Sequence, residues 1–335
     1  MFKKKPWRIN TYWGYGTATC FRATGRALKK ENINFEGNTG TFKTLWNIFK
    51  QFESDELRNK EIQIKLSNGQ VFTTHTNSEG YYFFEEPIVL ENKLTETTDW
   101  LPYIVSFHTK QIENSIADRN IFKGKMLIPS PKADFGIISD IDDTILHTGV
   151  ASLFKWRLIA NTFFKNFDRR MPLEGTVDLY KKFQIGTQDK PINPVFYVSN
   201  SPWNLYDYLT AFLNRHQFPK GPILLRDFRM PFDKTPKRKI PHKQEEIENI
   251  IQLYPDLKFI LIGDSGEKDA DYYINVAKKF QNRILAIYLQ NVNHKRRERR
   301  IKRLIETFTD VPAILVKTAQ EAEDHAKKIG LIKKN

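Results

Sequence analysis

Two rhythms of apolar and polar residues divide the chain. Between about 58 and 128 the apolar runs are short, alternate with polar positions and are broken by turn residues, as in "EIQIKLSNGQVFTTHTNSEGYYFFEEPIVL", "LPYIVSFH" and "MLIP". Alternation with a period of two places one face of an extended segment against a core and the other in water. The Asn-Gly pair inside "SNGQ" is a strong signal for a tight hairpin turn. This stretch predicts a small antiparallel β-sandwich. Residues 1–57 have a less regular pattern, in which "TCFRATGRAL" reads as a first strand and "TFKTLWNIFKQF" as a short amphipathic helix.

Beyond the Pro-containing junction "IPSPKAD" at 128–134 the pattern changes. Continuous apolar runs, "FGIISD", "PVFYVSN", "GPILLRD", "KFILIGD", "RILAIYL" and "AILVK", alternate with helical stretches such as "HKQEEIENIIQLY" and "DADYYINVAKKF". Strands without polar alternation are buried on both faces, so this half predicts a doubly wound, mostly parallel α/β sheet covered by helices. The expected organisation is an N-terminal β-sandwich-like domain with an irregular start over 1–130 and an α/β domain over 131–335.

Ligand sites of open parallel sheets lie beyond the carboxyl ends of the strands, which makes the residues following each apolar run informative. They are Asp140, Asp142, Asp143 and Thr144, then Ser199 and Asn200, then Asp264 with Asp269. If the strands are parallel neighbours, these groups meet at one edge. Carboxylates that crowd together repel unless a cation sits among them, and hard oxygen ligands suit Mg²⁺. One carboxylate can then attack phosphorus, and another two residues on, pointing the same way from an extended strand end, can act as general acid and base. A structural calcium loop is disfavoured, because an EF-hand counted from Asp140 needs Gly and Glu where Ile145 and Ala151 stand.

The constellation resembles the haloacid-dehalogenase superfamily of phosphatases, whose first motif is Asp-x-Asp-x-Thr. The resemblance implies that Asp140 attacks phosphorus and binds Mg²⁺, that Asp142 shuttles the proton and binds the metal through its carbonyl, and that Thr144 braces the loop. It implies that Ser199 hydrogen-bonds the phosphoryl oxygens, with Asn200 beside it on the substrate side, that Asp264 is a metal ligand, and that Asp269 is the acid supporting it. The superfamily's lone lysine has candidates in Lys237, Lys239 and Lys243. Lys243 is preferred, because it stands at the start of an amphipathic helix and can reach the strand ends. "SDIDDTI", "VSNSPWNLYDYL", "LLRDF", "FILIGDSGEKD" and "VPAILVKTAQEAEDHAKKIGLI" together are similar to the catalytic domain of the actin-patch-protein phosphatidate phosphatase family, over about 130–332. That resemblance implies Mg²⁺-dependent conversion of phosphatidic acid to diacylglycerol, with Arg170 and Arg226 holding the head group. The chain has no long proline-rich segment like that of fungal members, so cytoskeletal recruitment is not expected.

Several positions carry a plainer reading beside the functional one. Ser201 before Pro202 reads as a helix N-cap with Pro in the first turn. Asp269 equally opens a helix. Leu153, Trp156, Ala160, Phe163 and Phe167 recur at helical spacing and read as a buried face, while the interleaved basic and aromatic residues there also suit a membrane interface. "HKRRERRIKRL" has seven basic residues among the nine from Lys295 to Arg303. A solvated helix face packed through Ile301, Leu304 and Ile305 explains it, and so does contact with phosphates.

Composition narrows the picture. With 40% apolar residues in 335, the chain can bury a proper core. No apolar run approaches the roughly 20 residues of a membrane span, and no secretory core follows the basic N-terminus. Cys20 is the only cysteine, so no intramolecular disulfide exists and a cytoplasmic location is expected. The net charge of +14 is spread over both halves, with 19 basic and 14 acidic residues in 1–132 and 34 and 25 in 133–335. A positive surface favours anionic partners. The expected partner is an anionic phospholipid, with peripheral membrane contact. A soluble phosphomonoester as substrate, or a non-catalytic role in binding RNA or anionic membranes, is the alternative. Nucleic acid is the weaker case, because aromatic-rich RNA motifs are missing.

Overall fold

The computed structural model describes residues 5–29, 55–89, 98–108, 116–141, 174–226, 240–265, 268–292 and 294–334. The expected helix near 41–52, the apolar face at 153–167, and Asp142, Asp143, Thr144, Arg170, Lys237 and Lys239 lie outside these residues.

The first half builds two sheets. Strands β1 (Trp7–Tyr12), β3 (Cys20–Lys29), β4 (Asp55–Glu56) and β7 (Tyr81–Pro87) form one; β2 (Gly14–Tyr15), β5 (Glu61–Leu66), β6 (Val71–His75), β8 (Asp99–Phe107) and β9 (Phe122–Ile128) form the other. All pairings are antiparallel except the short β2 on β9. The predicted hairpin is β5–β6, where Lys65 pairs with Val71 and the amide of Leu66 donates to Gln70 O at 2.9 Å. Its turn needs Gly69, whose φ of +87° is costly for a residue with a Cβ. Trp7, Phe21 and Tyr82 from one sheet meet Ile62, Ile64, Val105 and Met126 from the other in a shared core, so the sheets pack face to face. β1 was not predicted. Its apolar positions, Trp7 and Ile9, sit within a strongly basic, aromatic segment whose alternation is hard to see.

The second half is a six-stranded, all-parallel sheet of β10 (Gly136–Ser139), β11 (Val195–Pro202), β12 (Ile223–Arg226), β13 (Phe259–Asp264), β14 (Ile284–Gln290) and β15 (Ala313–Val316), in the order β12-β11-β10-β13-β14-β15. Each predicted apolar run is one of these strands. Six helices are described: α1 (Thr176–Ile185), α2 (Tyr206–Arg215), α3 (His242–Leu253), α4 (Asp269–Lys279), α5 (Lys295–Glu306) and α6 (Ala319–Lys328). Successive side chains of a strand face opposite ways. Thus Ile137 enters a core with Leu179 and Phe183 of α1, Leu209 and Phe212 of α2 and Ala322 of α6, while Ile138 enters one with Ile247 and Ile250 of α3, Tyr273 of α4 and Ile301 of α5. Helices therefore cover both faces. From β10 the chain proceeds outward through β11 and β12, then returns to β13 on the other side of β10. Right-handed crossovers in opposite directions place α2 and α4 on opposite faces.

The segment around Tyr12 joins the two halves. Tyr12 stacks on Trp203 with ring centroids 4.3 Å apart and planes 8° from parallel. The amide of Trp13 donates to the Tyr206 hydroxyl at 2.7 Å, and the Tyr254 hydroxyl donates to Gly16 O at 3.0 Å. Tyr15 packs edge-on against Phe196. The Thr98 hydroxyl donates to Ile192 O. Among the described residues, no helix is long and apolar enough to cross a membrane.

Candidate active site

Strand register decides which side chains can meet. Ser139 is level with Ile262 of β13 and Tyr197 of β11, and the amide of Asp140 continues the ladder by donating to Ile262 O at 2.8 Å. One residue further along, Asp264 and Ser199 leave the sheet at the same edge as Asp140. This edge lies where the strand order reverses, between β10 and β13, the position at which parallel sheets leave a crevice.

The acids converge. One carboxylate oxygen from each of Asp140, Asp264 and Asp269 lies within 4.8 Å of the others, and all three residues are fully buried. Lys243, in the first turn of α3, is also fully buried; its ammonium donates to Asp140 Oδ1 at 2.9 Å and to Asp269 Oδ1 at 2.7 Å. The choice of Lys243 among the three lysines rested on its place at a helix start, and the structure puts it against Asp140. Asp269 opens α4, yet its side chain is turned inward: besides Lys243, it accepts weakly from the Asp264 amide at 3.5 Å. His242, the first residue of α3, is nearly buried, with Nδ1 3.7 Å from Glu246 Oε1.

Aromatic hydroxyls support the cluster from both faces of the sheet. Tyr273 of α4 donates to Ile262 O at 2.9 Å. Burial, and secondarily the charge of Asp269, raise its pKa well above the usual phenol value, which keeps the proton in place. On the other face Tyr180 lies 2.6 Å from the Ser139 hydroxyl, which itself donates to Asp140 O at 2.7 Å. Gly263 precedes Asp264 because space demands it. A Cβ there would stand 2.6 Å from Asp269 Oδ2 and 2.7 Å from the Tyr273 ring and hydroxyl. Neither Tyr180 nor Tyr273 was predicted, since a tyrosine in an apolar helix pattern reads only as core.

Ser199 lies on an irregularity. The β11–β12 register is regular through Val198 and resumes only at Pro202 with Arg226, and within the break the Ser201 amide donates to the Ser199 hydroxyl at 2.8 Å. Such bulges re-aim side chains at the rim of a sheet. Ser199 is fully buried, whereas Asn200 and Arg226 are partly exposed. The expected N-cap at Ser201 is not formed. β11 runs on through Pro202, the 3₁₀ turn Trp203–Leu205 follows, and no side chain caps it.

Among the described residues, three buried carboxylates gather around the Lys243 ammonium, and like charges this close in a low-dielectric interior favour a cation among them. The donor set is all oxygen, which fits Mg²⁺ or another hard divalent ion.

Comparison with known proteins places this half. Phosphatidate phosphatase APP1 of Saccharomyces cerevisiae is 37% identical over 156 residues, 46% of this chain and 25% of that protein. An uncharacterised protein of Schizosaccharomyces pombe is 29% identical over 232 residues, 66% of this chain and 34% of that protein. The chain thus matches only a quarter to a third of the length of these curated relatives. A sequence model described as "Phosphatidate phosphatase APP1, catalytic domain" matches residues 135–291, the stretch from β10 to just beyond β14 that holds Asp140, Ser199, Lys243, Asp264 and Asp269. Over this segment, the chain is similar to the catalytic domain of phosphatidate phosphatase APP1.

Proposed function

We propose that the protein is a Mg²⁺-dependent phosphatase of the haloacid-dehalogenase type, that it hydrolyses phosphatidic acid to diacylglycerol through phospho-Asp140, and that it works at a cytoplasmic membrane face. One observation carries this reading: Asp140 is fixed at the strand-order reversal, in contact with Lys243 and grouped with Asp264, within a segment similar to a phosphatidate phosphatase catalytic domain. The antiparallel sheets (1–130) and the parallel sheet (131–335) are then two domains joined through the Tyr12 segment.

The proposed chemistry has two displacements. A carboxylate oxygen of Asp140 forms a bond to phosphorus as the bond to the diacylglycerol oxygen breaks, and Asp142 gives that oxygen its proton. Asp142 then takes a proton from water, whose oxygen attacks phosphorus; the acyl-phosphate bond breaks and inorganic phosphate leaves. Lys243 orients Asp140 and offsets charge on the transferring group, and Ser199 donates to a phosphoryl oxygen. Asp140, Asp264 and the carbonyl of Asp142 would hold Mg²⁺, with Asp269 behind Asp264 and bound to Lys243. The ion supplies Lewis-acid polarisation of the phosphoryl oxygens. Thr144 braces the loop, and Asn200, Arg170 and Arg226 are assigned to the head group.

Phosphate release from phosphatidic acid vesicles with Mg²⁺, comparing the parent with Asp140→Asn, tests the proposal. The expected result is release that the substitution abolishes. Turnover of soluble phosphomonoesters with none of vesicle-borne phosphatidic acid would overturn the lipid assignment and leave the phosphatase.

A further inference from the structure

Five of the seven basic residues of α5 are not consumed by folding. Ile301 is fully buried, and Leu304 and Ile305 pack against the same core, so the apolar side anchors the helix. Arg300 pairs with Asp271 at 2.6 Å and Lys302 with Glu298 at 2.8 Å. Lys295, Arg296, Arg297, Arg299 and Arg303 form no ion pair among the described residues, and all but Arg297 are exposed. Like charges four apart on a helix, as at 295 and 299 or 299 and 303, destabilise it. A face needed only for solubility is better served by mixed signs. The uncompensated charge therefore points to an anionic partner.

Its place in the fold says which. α5 begins directly after β14, whose last residue, Gln290, is level with Asp264. Gln290 Nε2 donates to Lys317 O at 3.1 Å at the end of β15. The Asn291 amide donates to Val316 O at 2.8 Å, so the residues that lead into α5 stand beside Lys317 at the edge that carries the acids. Lys317 is exposed as well.

We propose that Lys295, Arg296, Arg299 and Lys317 form a docking face that seats this edge of the sheet on an anionic bilayer. The proposal rests on the phospholipid reading above and names the surface that reading requires. Each cation near an anionic surface adds a small, salt-screened attraction, and several together retain a protein whose substrate is dilute in the membrane. Single-stranded RNA is the weaker partner, because α5 offers no aromatic platform for bases to stack on.

Flotation of the full chain with phosphatidylcholine vesicles, with and without phosphatidylglycerol, in chelator and across a salt series, is the test. The parent is expected to bind only the anionic vesicles and to release with salt. Lys295→Gln/Arg296→Gln/Arg299→Gln/Lys317→Gln is expected to lose on the order of a thousandfold in partitioning with a thermal unfolding midpoint no lower than the parent's. A parent that ignores the vesicles, a folded variant that binds them as well as the parent does, or retention of RNA without vesicle binding overturns the proposal. Phosphatidylglycerol is a phosphodiester, so binding is read without turnover. A parent that binds these vesicles yet leaves phosphatidic acid intact supports the docking face and refutes only the substrate.

Discussion

Lys243 and Asp140 are 103 positions apart in sequence and 2.9 Å apart in space, with neither side chain exposed to solvent. A buried ion pair adds little net stability, but loss of one partner strands the other charge. Lys243 also holds Asp269 at 2.7 Å. Lys243→Met should therefore cost about 3–5 kcal/mol of unfolding free energy, measured by urea titration in chelator. Asp269→Asn in that background should cost less than it does alone, because the charge it removes is already uncompensated.

Metal dependence gives a second expectation. If Asp140 and Asp264 share a divalent ion, Mg²⁺ should raise the thermal midpoint of the parent, since any ligand of the folded state alone stabilises it. Asp264→Asn should abolish that rise as well as turnover. A scan in chelator and in excess Mg²⁺ separates the two proteins. An equal midpoint shift in both would mean that the ion binds elsewhere.

Gly263 tests how tightly the site is packed. Gly263→Ala sets a methyl group 2.6 Å from Asp269 Oδ2 and 2.7 Å from Tyr273. One hydrogen-bonds Lys243 and the other Ile262 O, so neither can retreat cheaply. The expected cost is about 1–3 kcal/mol, with a fall in kcat larger than the stability loss explains. Urea titration and steady-state kinetics on one preparation check both.

The strand-end acids were legible because continuous apolar runs announce a parallel sheet, and the chemistry of such a sheet sits at its carboxyl edge. Asp140, Ser199 and Asp264 followed from that rule, whereas a lysine was sought only because the superfamily resemblance implies one, and the helix start chose Lys243 among three. The tyrosines could not be read. Tyr180 and Tyr273 work through hydroxyls, while their rings satisfy the apolar pattern of their helices. The bulge at Ser199–Ser201 was also hidden, because it depends on pairing with β12, and a Ser-Pro pair taken alone signals a helix cap. The docking role of Tyr12 rests on contacts about 190 residues distant, which no local pattern encodes.

That docking leads to a further test. Tyr12 is buried and stacked on Trp203, with Tyr206 at 4.5 Å. Tyr12→Ala should cost about 3–5 kcal/mol, as for other large aromatic truncations. A double-mutant cycle with Trp203→Ala should return a coupling of about 1 kcal/mol. Zero coupling would mean that the two halves are held by the backbone hydrogen bonds at Trp13 and Gly16 instead.

Acid sensitivity should appear at α6. Glu323 bonds to Lys182 of α1 at 2.6 Å and to Lys327 at 2.9 Å. Lys182 first and then Lys327 hold its carboxyl below its ordinary value of 4.5. A carboxyl whose pKa is lower in the folded than in the unfolded state contributes stability that is complete above the unfolded value and disappears as the pH falls through the folded one. Both lysines are partly exposed, so the contribution is that of a screened pair, about 0.2–1 kcal/mol. Glu323→Gln should thus be less stable than the parent at neutral pH and converge with it under acid, where the parent's carboxylate is protonated. Urea midpoints of the two proteins from pH 7 downward measure the gap. A gap that stays constant through the acid range would assign the loss to packing of the α1–α6 contact, not to the charge.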